Sequence, residues 1–324
     1  IDTLANEVVI LTSLRNERRR NALYLHRFSE NAVEKSFEPL LKNENRKMAT
    51  SAQHLVIDEN RSIVLGSYTS NPPRRGSSSF DPEGNKSNGF YKVLIDKRDK
   101  TPLVAFYDFG DLTNLDNYIR GTIAEQRQRT MRRWFQRKGS ANLEYHLVMH
   151  NIKKHSGNFL LAGEAFSPDY RTVTTIAYDY YGRPVPRTYS VFDGYRYSHA
   201  LVVAFNDNGH LLWDNGMEMI NIRTFDLSPK LVLHNEDNDL VLAYNHDGKI
   251  AWKLIREKKT ITNISYANIE TKYSKDRVNN EQNSQLIPWY EHYFLATGYQ
   301  TIINNYLPDQ NRRNVFYINK IAFD

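Results

Sequence analysis

Residues 200–213 read ALVVAFNDNGHLLW, and residues 239–252 read DLVLAYNHDGKIAW. The two stretches lie 39 residues apart, a period that is typical of repeat architectures. Each contains an apolar run, a turn dipeptide (Asn208-Gly209 or Asp247-Gly248) and a second apolar run, so each predicts a hairpin with a two-residue turn. The residues that recur at matched positions are Leu201/Leu240, Val202/Val241, Ala204/Ala243, Asn206/Asn245, Gly209/Gly248 and Trp213/Trp252.

A repeated hairpin predicts several small sheets that pack against one another, because two strands alone cannot bury both of their faces. Weaker strand pairs of the same character are Glu7–Leu14 with Ala22–Phe28, Ile63–Thr69 with Phe90–Ile95, Phe159–Phe166 with Ala200–Phe205, and Tyr293–Thr301 with Val315–Phe323. We therefore expect an all-β chain, with residues 1–324 forming one β-propeller-like domain of about five blade-like units. A β-sandwich with long hairpins is the alternative. A ring closed by pairing the two chain ends and a piece of a longer propeller both remain open.

The hairpin DLVLAYNHDGKIAWKL (239–254), like the copy that ends at Trp213, resembles the repeat of quinoprotein-like (PQQ-like) β-propellers. In that superfamily the tryptophan docks between adjacent blades, so the resemblance implies this structural role for Trp213 and Trp252. The chain has no cysteine and therefore lacks the cysteine pair of the quinone-binding enzymes. The resemblance is closer to non-catalytic scaffolds of the bacterial cell envelope that serve outer-membrane secretion or assembly machinery. It implies a binding protein of that kind.

The composition excludes several classes of protein. Apolar residues make up 40% of the chain and charged residues 25%, which is ordinary for a folded globular protein. The absence of cysteine removes disulfides, thiolate metal sites and a cysteine nucleophile. No apolar run approaches the roughly 18 residues that a membrane-spanning helix needs. The chain begins at Ile1 without Met and without an apolar signal region, as either a mature exported protein or a truncated chain would. With the resemblance to envelope scaffolds, we expect a periplasmic or extracellular location.

Three inserts interrupt the predicted strands. Residues 70–89 are rich in Pro, Gly and Ser and predict an exposed loop. Residues 113–139 predict one amphipathic helix, with an apolar stripe opposite a face of arginines. Residues 167–198 hold seven tyrosines and predict a long Tyr/Arg-rich loop.

The third insert and the basic helix are the candidate interaction surface, because Tyr and Arg dominate the hot spots of protein interfaces. We expect a protein partner, including a membrane-protein complex, or an anionic glycan, and we do not expect nucleic acid. A loop that packs on the propeller and a solvated helix face are the alternatives. The predicted binding residues are Tyr178, Tyr180, Tyr181, Arg183, Arg187, Tyr189, Tyr195, Arg196 and Tyr197 of the insert, and Arg127, Arg129, Arg132, Arg133 and Arg137 of the helix.

No nucleophile, zinc, nucleotide or phosphate motif occurs in the chain, so we expect no catalytic residues, no metal and no cofactor. His146 and His150 would lie about 13 Å apart on one strand, too far to share an ion. The runner-up is a glycan-active hydrolase that uses carboxylates near a propeller axis. A fragment of a larger protein is a third possibility. The carboxylates nominated for the hydrolase are Asp58, Asp96, Asp108, Asp111, Glu164 and Asp207.

Overall fold

The computed structural model of the chain describes residues 6–15, 21–41, 47–70, 86–99, 101–118, 143–236, 238–306 and 311–322. These residues form five antiparallel sheets that follow one another along the chain, so the all-β prediction is confirmed. The first sheet contains β1 (Glu7–Arg15), β2 (Asn21–Ser29) and β3 (Glu34–Leu41). The second contains β4 (Met48–Ala49), β5 (Gln53–Val56), β6 (Arg61–Thr69), β7 (Gly89–Asp96) and β8 (Leu103–Asp108).

The third sheet is the largest and contains the two longest strands. It is built from β9 (His146–Met149), β10 (Lys153–His155), β11 (Asn158–Tyr178), β12 (Pro184–Phe205), β13 (Leu211–Glu218) and β14 (Arg223–Thr224). The fourth contains β15 (Val232–Glu236), β16 (Asp239–His246), β17 (Lys249–Arg256) and β18 (Lys259–Asn268). The fifth contains β19 (Arg277–Pro288), β20 (Tyr293–Ile303) and β21 (Arg312–Ala322).

The sheets stack face to face in chain order, because alternate residues of each central strand point to opposite neighbours. In β12, Leu201 and Val203 pack in a core cluster with Ile63 and Phe90 of the second sheet. Val202, which lies between them, faces the other way and packs with residues of the fourth sheet. Two further clusters join the first sheet to the second and the fourth to the fifth.

The repeated hairpins occupy equivalent places in consecutive sheets. Trp213 lies opposite Ala204, and Trp252 lies opposite Ala243. Trp213 packs in the cluster between the third and fourth sheets, and Trp252 packs against the cluster between the fourth and fifth. The predicted role of both tryptophans between neighbouring sheets is therefore confirmed.

The two turns of the repeat differ in length. Asp247 and Gly248 both have positive φ (55° and 70°) and form the predicted two-residue turn between β16 and β17. In the earlier copy the amide of Gly209 donates to the carbonyl of Asn206, and Gly209 alone takes positive φ. The prediction of a two-residue turn at Asn208-Gly209 is therefore wrong by one residue. The loop is a three-residue turn with Gly209 at the left-handed position, and the Asn206 side chain stabilises it by accepting two backbone N–H groups.

The four weaker strand pairs predicted from the sequence are also present, as β1–β2, β6–β7, β11–β12 and β20–β21. The described residues do not close a ring. No strand of the first sheet pairs with the fifth, and no core cluster of the described residues joins them. A ring closed by pairing the chain ends is therefore not found in the described part of the chain.

The predicted helix at 113–139 is not present in the described residues beyond one turn, α1 (Leu115–Tyr118). Leu115 and Tyr118 are buried in the cluster between the second and third sheets, and Asp214 accepts the backbone N–H groups of Thr113 and Asn114. Residues 119–139 of that prediction and 71–85 of the predicted loop at 70–89 lie outside the described residues. No helix in the described ranges is long and apolar enough to cross a membrane.

Buried charged groups join neighbouring sheets. Glu164 of β11 is fully buried and accepts the backbone N–H groups of Lys230 and Leu231, which lead into the fourth sheet. Lys253 of β17 reaches back, and its ammonium donates to the carbonyl of Gly216 at 2.6 Å. Burial lowers the pKa of Lys253 to about 8.

Candidate interaction site

The most prominent exposed element is a two-stranded extension of the third sheet. β11 and β12 continue past the core as a hairpin, and we call residues 169–193 the arm. Its strands pair in register from Tyr170 opposite Phe192 to Tyr178 opposite Pro184. The prediction of a loop at 167–198 is therefore wrong: residues 172–176 read TVTTI, and such β-branched residues favour strands.

The tip of the arm is a tight turn made by Asp179 and Gly182. The amide of Asp179 donates to the carbonyl of Arg183, and Gly182 supplies the positive φ of 74°. The Asp179 carboxylate accepts the backbone N–H groups of Tyr181 and Arg183 at 2.9 and 2.8 Å. The turn projects Tyr180 and Tyr181 outward, so that they are 96% and 79% exposed.

The base of the arm is braced by ion pairs across the hairpin. Arg196 pairs with Asp169 at 2.5 Å, and Arg171 lies 3.6 Å from Asp193. Arg223 of β14 contacts both carboxylates. The hydrogen bond from Arg196 and the positive charge of its neighbours lower the pKa of Asp169, which therefore stays ionised at neutral pH.

An aromatic cluster supports the same base. The Phe192 ring lies 5.0 Å from Tyr195 and 6.1 Å from Phe225, and Tyr195 contacts Phe166 at 5.5 Å. Phe166 belongs to the core between the third and fourth sheets. The arm is thus anchored to the core at one end and exposed at the other.

The structure divides the predicted binding residues of the insert into two groups. Six lie exposed on the arm or its tip: Tyr178, Tyr180, Tyr181, Arg183, Arg187 and Tyr189. Tyr195 and Arg196 are half-buried at the base, where they brace the arm. The assignment of Tyr197 to the surface is wrong, because its ring is 1% exposed and its hydroxyl donates to the carbonyl of Ser228. The basic residues Arg127, Arg129, Arg132, Arg133 and Arg137 lie outside the described residues.

The sequence prediction missed the carboxylates that brace the arm. Asp169 and Asp193 each pair with an arginine across or beside the hairpin. Tyr170 and Ile176 were also missed, although they are 55% and 67% exposed on the shaft. Folding residues 167–198 back as a hairpin about Gly182 would have placed these acidic and basic residues side by side.

Four of the six carboxylates nominated for a hydrolase are engaged with different partners. Asp58 pairs with Arg61, and Asp96 pairs with Arg98. Asp108 accepts the Tyr68 hydroxyl. Glu164 is enclosed and also accepts His150 Nε2 at 2.6 Å. Among the described residues, no side chain or backbone group forms hydrogen bonds or ion pairs with two of these carboxylates at once.

A second concave region lies between the first and second sheets. It has a volume of about 820 Å³ and is lined by side chains of both charge signs, including Arg27, Lys47, Glu38 and Asp96. Lys47 is committed there to the Tyr68 and Phe106 rings, each 4.6 Å from its ammonium. The arm differs from this cleft in presenting its aromatic and cationic groups to solvent.

Comparison with solved structures gives distant, β-rich similarities. Polysaccharide lyase Uly1 aligns with 98% of this chain over 56% of its own, at 8% identity and a TM-score of 0.36. The NanB sialidase from Streptococcus pneumoniae aligns with 88% of this chain over 54% of its own, at 9% identity and a TM-score of 0.32. A protein of unknown function from Dyadobacter fermentans aligns with 98% of this chain over 96% of its own, at 10% identity and a TM-score of 0.26.

The chain spans about half the length of the lyase and the sialidase. No protein-family model matches the chain, and no curated protein matches it. What the chain shares with these structures is a β-rich architecture.

Proposed function

We propose that this protein is a non-catalytic binding protein whose arm contacts a protein partner. The single observation that carries the proposal is a rigidly anchored hairpin that holds two tyrosines almost fully in solvent. Tyr180 and Tyr181 take no part in any core cluster of the described residues, although large aromatic side chains are normally sequestered. Exposed, pre-positioned aromatics of this kind are typical of interface hot spots.

The chemistry of the tip supports a protein ligand. The Arg183 guanidinium lies 5.7 Å from the Tyr181 ring, so one small surface combines aromatic faces with a planar cation. The arm base is held by ion pairs and aromatic contacts, which reduces the ordering cost on binding. An anionic glycan is the other ligand that such a surface fits, and we treat it as an outcome of the test.

We further propose a propeller-like architecture for the five stacked sheets, with a place in the bacterial cell envelope. The equivalent positions of Trp213 and Trp252 between consecutive sheets support the architecture. The envelope location rests on the resemblance of the repeat to envelope scaffold propellers.

The test replaces the two tip tyrosines, as Tyr180→Ser with Tyr181→Ser. The matched control is Tyr266→Ser with Tyr306→Ser, two tyrosines that are 53% and 70% exposed elsewhere on the surface. Tagged proteins are purified from the native source, and what accompanies each is quantified by mass spectrometry. Affinity for a partner is then measured by titration.

We expect the tip variant to lose affinity by at least about 30-fold, as hot-spot residues do, and the control to bind as the wild type does. Both variants should keep the wild-type thermal transition, since the tip tyrosines contribute no core packing. Equal partner binding by wild type and tip variant overturns the proposal. Loss of an acidic glycan rather than of a protein overturns the choice of a protein partner.

A further inference from the structure

The two edges of the arm differ in their capacity to accept another strand. In an antiparallel pair, residues alternate between positions whose N–H and C=O groups bond the partner strand and positions whose groups point outward. The Asp179 N–H bonds the Arg183 carbonyl, so Asp179 and Arg183 occupy a bonded position. The even-numbered residues of both arm strands therefore point their backbone groups outward.

The outer edge of β12 is blocked in its distal half. Pro184 and Pro186 occupy two consecutive outward positions there, and proline has no N–H to donate. Prolines at such positions are a common protection of edge strands. β12 is also covered at the base, where Tyr195 and Arg196 pair with β14.

The outer edge of β11 has no such protection. Among the described residues, β9 pairs with β11 only from Gly163 to Phe166, and Tyr170–Tyr178 pair with β12 alone. The outward positions of this edge are Tyr170, Thr172, Thr174, Ile176 and Tyr178, and each of these carries a backbone N–H.

We propose that a second copy of this chain pairs with this edge, so that two arms form one four-stranded antiparallel sheet about a two-fold axis at Thr174. This inference rests on the proposed function of the arm as a contact surface and names one partner for it. Residues 170–178 of each copy overlap fully in this register. The outward-pointing backbone groups of one β11 then face those of the other β11, as a continuous hydrogen-bonded ladder requires.

The side chains that this register brings together are compatible. Tyr170 of one copy lies opposite Tyr178 of the other, and Thr172 lies opposite Ile176. Aromatic pairs and pairs of β-branched residues stabilise antiparallel sheets. Arg171 lies opposite Ala177, so the two Arg171 side chains are at opposite ends of the overlap and do not repel each other.

The length of the free edge also fits a second arm. The tip of one copy reaches Ser167 of the other. The next residue toward the core, Phe166, already pairs with β9. The register shift between Pro168 and Tyr170 ends the regular ladder at Tyr170, so Asp179 of the tip lies near Asp169, which pairs with Arg196 and Arg223. Arg183 brings an additional cation to this acidic base.

Two proline variants test the edge, because Thr174 and Thr188 lie opposite each other in the hairpin. Thr174→Pro removes an outward N–H on β11, and Thr188→Pro removes the equivalent group on β12. Sedimentation equilibrium from about 1 to 200 µM measures the dimer dissociation constant. We expect at least a tenfold rise for Thr174→Pro and no change for Thr188→Pro, with unchanged circular dichroism melting of both.

Cysteine variants give a second readout that needs no proline in the arm. The chain has no native cysteine, so Thr174→Cys and Thr188→Cys each introduce a single thiol. Bonded antiparallel residues have Cα atoms about 5.5 Å apart, within disulfide range. Mild oxidation should cross-link Thr174→Cys into a dimer and leave Thr188→Cys monomeric.

A wild type that stays monomeric throughout the concentration range overturns the inference, as does a Thr174→Pro protein that dimerises like the wild type. Equal cross-linking of the two cysteine variants also overturns it. These failures are distinct from failure of the proposed function. A monomer that still captures a partner through Tyr180 and Tyr181 refutes the dimer alone, and a dimer whose tip binds nothing refutes the proposed partner contact alone.

Discussion

Replacement of Glu164 by glutamine should destabilise the protein strongly, because this buried carboxylate joins two sheets. Its Oε1 accepts hydrogen bonds from His150 Nε2 at 2.6 Å, from the Lys230 amide at 2.9 Å and from the Leu231 amide at 2.8 Å. A glutamine oxygen in the same place still accepts from these three donors but carries no charge. A hydrogen bond to a charged group stabilises by about 1 kcal/mol more than a neutral one, so three such bonds give about 3 kcal/mol.

Glu164→Ala should cost more, about 5 kcal/mol, since it leaves three buried donors without an acceptor. The free energy of unfolding is measured by urea titration followed through tryptophan fluorescence, which reports on Trp213 in the same core cluster. The control is Glu34→Gln on the surface of the first sheet. Its carboxylate is 47% exposed and pairs with His26, so we expect a loss below about 1 kcal/mol.

The reasoning is refuted if Glu164→Gln unfolds within about 0.5 kcal/mol of the wild type, or if Glu34→Gln is equally costly. Either result would mean that the contacts between Glu164 and the start of the fourth sheet do not stabilise the stack.

Two further predictions concern buried groups at the sheet interfaces. Burial lowers the pKa of Lys253 to about 8, so between about pH 8 and 10.5 the unfolded chain binds more protons than the folded one. Urea titrations should therefore show the stability of the wild type, relative to Lys253→Met, rising across that pH range. A difference that does not change with pH contradicts the burial of the ammonium. Gly216→Ala should prevent folding or lower the melting temperature severely, because its Cβ would lie 2.2 Å from the Ala200 carbonyl oxygen. Gly182→Ala at the open arm tip should cost only about 1 kcal/mol, confined to the arm. Equal melting temperatures of the two variants would contradict this.

The local pairing of most strands was readable from the sequence. The hairpins at 200–213 and 239–252 repeat the same apolar runs about a glycine turn, and the turn sets which residues of the two strands lie opposite each other. Ala204 opposite Trp213 and Ala243 opposite Trp252 follow directly from it. The stacking of consecutive sheets was predicted for the same reason, since each hairpin has two apolar faces to bury.

The arm was misread because both of its faces are exposed. A strand with one buried face shows apolar and polar residues in alternation, but along residues 171–190 the few apolar side chains are scattered among polar and aromatic ones, and nearly all residues are exposed. Without that signal, the tyrosines and arginines resembled a long loop. The strand was still indicated by Thr, Val and Ile between Arg171 and Ala177, and the turn by Asp179 and Gly182.

Some side chains of the candidate site were fixed only by the packing of distant elements. Tyr195 and Tyr197 differ by two residues, yet the first braces the arm and the second is in the core. β12 shifts register against β11 between Ala165 and Phe166 and again between Pro168 and Tyr170. Such bulges redirect a strand, and their positions depend on the neighbouring sheet as well as on the local sequence.

The sequence by itself determined the elements that depend on neighbours in the chain: the hairpins, their repeat, and the tryptophans between consecutive sheets. The tertiary structure alone decided which arm edge is left open, which residues brace its base, and that no strand pairing or core cluster of the described residues joins the first and fifth sheets. These features depend on contacts between residues far apart in sequence and on the twist accumulated over five sheets. No local pattern of side chains specifies such long-range contacts or the total twist.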